Sequence, residues 1–378
     1  MKPLSVYTHG LRKFISLLII FVIAILIFDI LAHKIDYTRV IYKRLKADSP
    51  YIYERVDPSL MVIDPSSKLN KQLTINFSKT RQSLITALWG NEGFPAELLP
   101  QKFVSSTDAE MLGITASLDT VHQLTLQMEL GFHSNPVYLS RSPEANRLII
   151  YHHGFGEAAH KMRALFLELM NEGFDLIVLY PLGHGHILNP AYGFPTKDSK
   201  ALANIFHQMS SFDRPYRYHL NPIFASMNHA LKQKDYKSID IIGFSMGAYL
   251  AVVVAALDPR IERSYPIAGA YPAYIRVRNE VMPDGPPSYK PMLSIASSLD
   301  LFVLGAIGKN RKQVQIYNRY DRCCFNGLRG TLYEPDVQDM VRQTRQGGSF
   351  SVMLDESHAD HKISNAVIEF LISDLSRP

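Results

Sequence analysis

Cysteine is nearly absent. The 378 residues hold two, adjacent at Cys323 and Cys324, too few for a disulfide scaffold or a Cys-rich metal site. No window is low in complexity and charged residues make up only 20%, which excludes disordered, collagen-like and coiled-coil chains. Charge of one sign is missing from the body of the chain. Residues 1–46 carry Lys2, Arg12, Lys13, Lys34, Arg39, Lys43, Arg44 and Lys46 against Asp29 and Asp36, a balance of +6. Because the whole chain carries +5, the rest sums to −1. A near-neutral body offers no electrostatic footprint for nucleic acid, so a nucleic-acid partner is excluded. Apolar residues are abundant at 47%, enough for a large core, and the length suits one large domain or two ordinary ones.

One long hydrophobic run is present. Phe14–Phe28 reads FISLLIIFVIAILIF, and after Asp29 the run continues through Ile30, Leu31 and Ala32. A helix over residues 14–32 would be about 28 Å long, close to the hydrocarbon thickness of a bilayer. Asp29 would lie near one end, within reach of headgroup water. An uncleaved single-pass membrane anchor over residues 1–34 is the expectation. A cleaved signal peptide competes, but the apolar core is long and Ile30-Leu31-Ala32 is a poor cleavage site. A buried core helix would show a polar face, and only Ser16 interrupts the run. Basic residues flank both ends, so the positive-inside rule does not settle orientation; a short tail before a first span favours an exported body.

Residues 35–118 read as a connector and N-terminal extension. Residues 35–60 are polar and Tyr-rich, and residues 61–117 mix short apolar pieces and Pro with a predicted helix at Thr80–Leu88. From residue 119 to 378 the pattern becomes regular. Strands are predicted at His122–Leu130, Pro136–Ser140, Arg147–His152, Asp175–Tyr180, Ile239–Ile242, Tyr265–Ala270, Val314–Asn318 and Ser349–Leu354. Helices are predicted at Glu157–Asn171, Ala248–Leu257 and Ser364–Leu375, the last capped by Ser364. Apolar strands alternating with helices imply an α/β domain, its mainly parallel sheet covered by helices on both faces. Two long connections, near residues 186–237 and 272–312, are expected to form lid-like inserts.

The sharpest local signal is Gly243-Phe244-Ser245-Met246-Gly247, with a strand before it and a helix after it. A serine at such a tight turn projects its hydroxyl from the sheet end, and the flanking glycines avoid collisions there. The competing reading is an ordinary helix start capped by Ser245. A serine hydroxyl needs a base held by a carboxylate, and this topology requires the order Ser, Asp/Glu, His. Asp321, in the turn behind Val314–Asn318, fits better than Asp300 or Asp355. Both His358 and His361 lie on the loop before the last helix. His361 stands in the usual place for the base, with His358 the runner-up. Acyl transfer also needs oxyanion donors, which the backbone N–H groups of Phe155 and Met246 could supply. Phe155 belongs to the loop His153-Gly154-Phe155-Gly156.

This ordered set, together with Gly183-His184-Gly185, resembles the α/β-hydrolase superfamily over residues 119–378. The resemblance implies an α/β-hydrolase-type, mainly parallel eight-stranded sheet, a Ser–His–Asp triad, and no required cofactor. It departs from many members in having Tyr180-Pro181-Leu182, not Asp-x-Arg, before Gly183. The expectation is a membrane-anchored serine hydrolase acting on a small-molecule or lipid-like carboxylic ester, or on a thioester or amide. An acyltransferase on the same triad and a non-catalytic binding protein that keeps the fold are the alternatives.

The remaining features receive plainer readings. His152-His153 and His184-x-His186 lack a carboxylate at ligand spacing, so no metal is expected. Cys323 and Cys324 are expected as free thiols, because a disulfide between neighbours is geometrically difficult. Trp89 is assigned to the core, and Arg276, Arg278 and Glu280 to a solvated face.

Overall fold

The apolar run forms helix α1, Leu4–His33, in a computed structural model describing residues 4–106, 109, 112–114, 118–129, 133–155, 159–182, 213–276 and 289–377. From Lys13 to His33 the helix is long and apolar enough to cross a membrane, with a mean hydropathy of 3.2. Its large side chains from Phe14 to Leu31 are exposed to the surroundings rather than packed on the body. A short amphipathic helix, α2 (Asp36–Leu45), follows almost at once.

Among the described residues, ten strands join one sheet. They are β1 (Lys102–Ser106), β2 (Thr120–Gln127), β3 (His133–Ser134), β4 (Val137–Ser140) and β5 (Arg147–His152). The others are β6 (Phe174–Leu179), β7 (Ser238–Phe244), β8 (Ile261–Ile267), β9 (Lys312–Asn318) and β10 (Ser349–Asp355). Their order is β1-β2-β4-β6-β5-β7-β8-β9-β10, with β3 paired to β2. The strands from β5 to β10 are parallel, and β1 to β4 form an antiparallel flank. The eight-stranded sheet expected from the sequence is this sheet without β1 and β3. Those two add only a short edge strand and a two-residue pairing, in stretches too short or mixed to show a period.

Helices cover both faces. Leu148 and Ile150 of β5 point to one side and Ile149 and Tyr151 to the other, as the two-residue period of a strand requires. The first side is filled by α3 (Leu73–Trp89), α5 (Arg217–Gln233), α6 (Met246–Leu257), α7 (Ser298–Ala306) and α8 (Glu334–Gln343). The second holds α4 (Arg163–Asn171) and α9 (Asn365–Leu375). α6 is apolar all round and buried along its whole length, which fits a helix packed between sheet and neighbours. Ser364 caps α9, its hydroxyl accepting from the Val367 amide at 3.1 Å.

Neither long connection is simply a lid. The first contains α5, whose Leu220, Phe224 and Met227 are buried in the core. Its polar residues hid that helix from the sequence pattern, yet three of them have interior partners. Asn221 accepts from the Trp89 indole at 2.8 Å, Asn228 donates to the carbonyls of Pro95 and Leu98, and His229 meets His122 at 2.9 Å. The second contains α7, also buried. Residues 186–212 and 277–288 of the expected inserts lie outside the described residues.

Arg311 is the hub of the α6–α7 side. It is buried, and its guanidinium donates to the carbonyls of Ala255 in α6, Leu304 in α7, Ile307 and Ile261. Two helix C-termini thus have their last carbonyls satisfied by one cation. Burial lowers its pKa to about 10, still far above neutrality. Arg311→Met keeps the volume but strands these acceptors, and should cost about 3 kcal/mol or more in denaturant unfolding.

Candidate active site

The carboxyl ends of the central strands lie together. In register, His152 of β5 faces Gly243 of β7, Phe244 faces Ile267 of β8, and Asn318 of β9 faces Asp355 of β10. The loops leaving these ends carry every candidate residue.

Ser245 occupies the turn between β7 and α6 with φ 53° and ψ −112°, a conformation that side-chain-bearing residues avoid. Such a residue costs about 1–3 kcal/mol and persists only where its surroundings enforce it. Its amide donates to the Ile267 carbonyl at 2.8 Å, and its carbonyl accepts from the Ala248 amide at 3.1 Å. A Cβ on Gly243 would collide with the Gly247 backbone, and one on Gly247 with the His152 carbonyl. The two glycines therefore permit strand, turn and helix to close this tightly. Gly154 comes equally near, since a Cβ there would stand 2.8 Å from the Ser245 Cβ. The His153-Gly154-Phe155 backbone is thus brought beside the serine, while Gly156 lies outside the described residues. Met246 opens α6, whose first-turn amides have no partner within the helix. The His153 ring is buried and stacks on Tyr180 at 4.3 Å, edge-on to Tyr151 and Phe166. It belongs to the aromatic packing that anchors this loop.

The two histidines have different surroundings. The Nδ1 of His361 lies 2.5 Å from Oδ2 of the buried Asp321. The other oxygen of Asp321 accepts from the Cys323 amide at 2.7 Å. The His361 side chain keeps 21% of its surface exposed, and its ring lies 4.7 Å from the Phe244 ring, next in sequence to Ser245. His358 is fully buried and both ring nitrogens are occupied: Nε2 bonds Asp355 at 3.0 Å and Nδ1 accepts from the Asp360 amide at 3.1 Å. Asp355 also accepts from the amide and hydroxyl of Ser357 and the hydroxyl of Ser364. Burial alone would raise the Asp355 carboxyl, but the hydrogen bonds from His358, Ser357 and Ser364 prevail and hold it far below its ordinary value. Both rings therefore meet a carboxylate, but His361 keeps an open edge beside Asp321 while His358 is closed into the Asp355 network. The sequence favours His361 by its place before the last helix but does not show these different surroundings, because both rings lie within seven residues of the β10 end. Sequence reasoning also missed Asn318, whose amide donates to the Lys362 carbonyl at 2.8 Å and ties the Asp321 strand to the His361 loop.

The expectation of free thiols is corrected: Cys323 and Cys324 are joined in a disulfide between neighbours. They sit in the turn after Asp321, where Cys324 Sγ lies 4.0 Å from His361 Nδ1. Among the described residues, Cys323, Cys324 and His361 are the one group of donors close enough to share a metal ion. They do not fit one, because disulfide sulfurs are not thiolates and the His361 Nδ1 faces Asp321. The other histidines considered for a metal divide likewise. His152 is buried, its Nδ1 sits 2.9 Å from the His153 carbonyl, and burial lowers its pKa to about 4. His184, His186 and the Gly183-His184-Gly185 motif lie outside the described residues.

Comparison with known proteins bears on the fold. Residues 147–264 match the family model described as alpha/beta hydrolase fold. No curated protein matches the sequence. Among solved structures, Methylesterase BT1017 is similar with a TM-score of 0.58 at 15% identity, over 86% of this chain and 70% of its own. An acetyl xylan esterase from Paenibacillus sp. R4 gives 0.51 at 13% identity, over 84% and 98%. Acetyl xylan esterase 1 from Thermoanaerobacterium sp. JW/SL YS485 gives 0.50 at 12% identity, over 84% and 97%. Strand order, parallel register and the matched segment agree: this chain has the α/β-hydrolase fold, extended at its N-terminus by an apolar helix.

Proposed function

We propose that this chain is a membrane-anchored serine hydrolase that cleaves carboxylic esters through an acyl-enzyme. The observation that carries the reading is the His361–Asp321 contact of 2.5 Å beside the strained turn of Ser245. The similarity in fold to a methylesterase and two acetyl xylan esterases supports an ester as substrate class. α1 supplies the anchor.

In this reading Ser245 Oγ attacks the ester carbonyl while His361 Nε2 takes its proton. Asp321 orients the imidazole through Nδ1 and stabilises its cationic form. The amides of Phe155 and Met246 donate to the developing oxyanion, held in place by strand and helix before the reaction begins. His361 then returns the proton to the leaving alcohol. Water attacks the acyl-enzyme by the same steps in reverse, releasing the acid and restoring Ser245.

Asp321→Asn tests the assignment of the carboxylate. An amide of the same shape keeps the turn but presents the wrong partner to Nδ1, so kcat on a small activated ester should fall about 10³–10⁴-fold. Full activity in that variant would remove Asp321 from the site.

A further inference from the structure

Helix α2 has two opposite faces, and each meets something different. Tyr37, Ile41 and Leu45 recur at four-residue spacing along one face, and all three are exposed. The helix is held against the last turns of α1. Thr38 Oγ1 donates to the Leu31 carbonyl, and Tyr42 meets the rings of Phe28 and His33 edge-on at 6.0 and 5.8 Å. The apolar stripe of α2 is therefore continuous with the exposed apolar surface of Phe28, Ile30 and Leu31 at the end of the spanning helix. Lys43 and Lys46 lie in the last turn of the same short helix and just beyond it, cations suited to anionic headgroups.

The other face docks on the two loops that carry Asp321 and His361. Arg39 pairs with Asp360 at 2.7 Å, and Asp36 pairs with Lys362 at 2.9 Å, one residue to each side of His361. Val40 is buried with Tyr53, Tyr320 and Ala359, so its partners include the residue before Asp321 and a member of the His361 loop. The connector continues the contact. Arg319 donates to the Tyr53 carbonyl at 3.1 Å and pairs with Glu54, which in turn pairs with Arg44.

From this we propose that α2 lies in the headgroup layer and holds the triad loops at the bilayer surface, so that the substrate is an acyl ester resident in the same membrane. This rests on the hydrolase reading and adds where its substrate comes from. Lys362 is joined by one ion pair to Asp36, three residues past the end of the spanning helix. An ester whose acyl chain lies in the bilayer would then expose its carbonyl at the depth where the site is held. A bilayer suits the α2 stripe because that stripe adjoins a helix whose large exposed side chains from Phe14 to Phe28 are apolar on all sides.

The test uses full-length protein in phosphatidylcholine vesicles containing some phosphatidylglycerol. Two substrates are compared: a long-chain fluorogenic ester dissolved in the bilayer and a short, water-soluble p-nitrophenyl ester. Ile41→Glu/Leu45→Glu alters only exposed positions and leaves the docked face intact. We expect this variant to hydrolyse the soluble ester within about twofold of the parent and the bilayer ester at least tenfold more slowly, because charged side chains on the stripe resist insertion. Unchanged turnover of the bilayer ester would overturn the proposal. Equal loss on both substrates would also overturn it, since α2 would then support the site without aiming it. A fluorophore on Glu356→Cys, in the His361 loop, reads placement independently of chemistry. Headgroup-quenching lipids should quench it in the parent and less in the variant. An unquenched probe defeats the placement. A quenched probe with no turnover of either ester by the parent counts against ester hydrolysis and leaves the placement supported.

Discussion

His361→Ala should lower kcat/KM on a small activated ester by about 10⁴-fold or more while leaving the unfolding midpoint nearly unchanged. His358→Ala should do the reverse. The two residues are three apart, yet their surroundings predict opposite phenotypes. His361 is partly exposed and makes its one close charged contact with Asp321, so truncation removes a base without opening a core cavity. His358 is fully buried between Asp355 and the Asp360 amide, and its loss strands two polar groups where water does not reach. That change should cost about 2–4 kcal/mol, read from denaturant curves, with residual activity in whatever fraction stays folded. The Asp355 network also sets an acid limit. Its carboxyl is held below the ordinary value of 3.8, so the stability it confers is complete above that value and is lost as pH falls through the folded one. Full activity in His361→Ala with none in folded His358→Ala would exchange the two assignments.

Ser245→Ala should remove about 10⁴–10⁶-fold of kcat, leaving only what the oxyanion donors and binding supply. Its fold should be intact, because the turn is set by the approach of Gly243 and Gly247 and by backbone bonds that alanine retains. Ser245→Gly should be equally inactive yet more stable than the parent by about 1 kcal/mol, since glycine adopts a positive φ without penalty. An inactive variant that is more stable than the active protein is the expected sign of a residue kept strained for its chemistry. Thermal unfolding of the three proteins side by side measures it.

Much of this was legible in the chain because the central strands are short apolar runs buried on both faces, such as RLIIYH and FDLIVL. The turn at Ser245 was legible for a related reason: two glycines around a serine between strand and helix leave few other backbone paths. Other features depend on distant contacts. α5 carries His219, Asn221, Asn228 and His229 in its sequence and reads as a polar connection until Trp89, Pro95, Leu98 and His122 arrive to pair with three of them. β1 is visible only as the partner of β2. The choice between His358 and His361 turns on which carboxylate each ring meets, and both rings lie one loop from both candidates. Chain geometry disfavours a disulfide between neighbours, yet the turn after Asp321 accommodates the one between Cys323 and Cys324. The docking of α2 on the His361 loop joins residues more than 300 positions apart, a separation across which no local pattern carries information.

The central claim is that Ser245 is the nucleophile of a working triad, and covalent labelling tests it most directly. Full-length protein in vesicles is treated with a fluorophosphonate, digested, and the modified peptide is mapped by mass spectrometry. The expected result is a single phosphonylated site at Ser245, lost in Ser245→Ala and strongly slowed in His361→Ala. Labelling of folded Ser245→Ala at the parent rate, or no labelling of the folded parent, would contradict it.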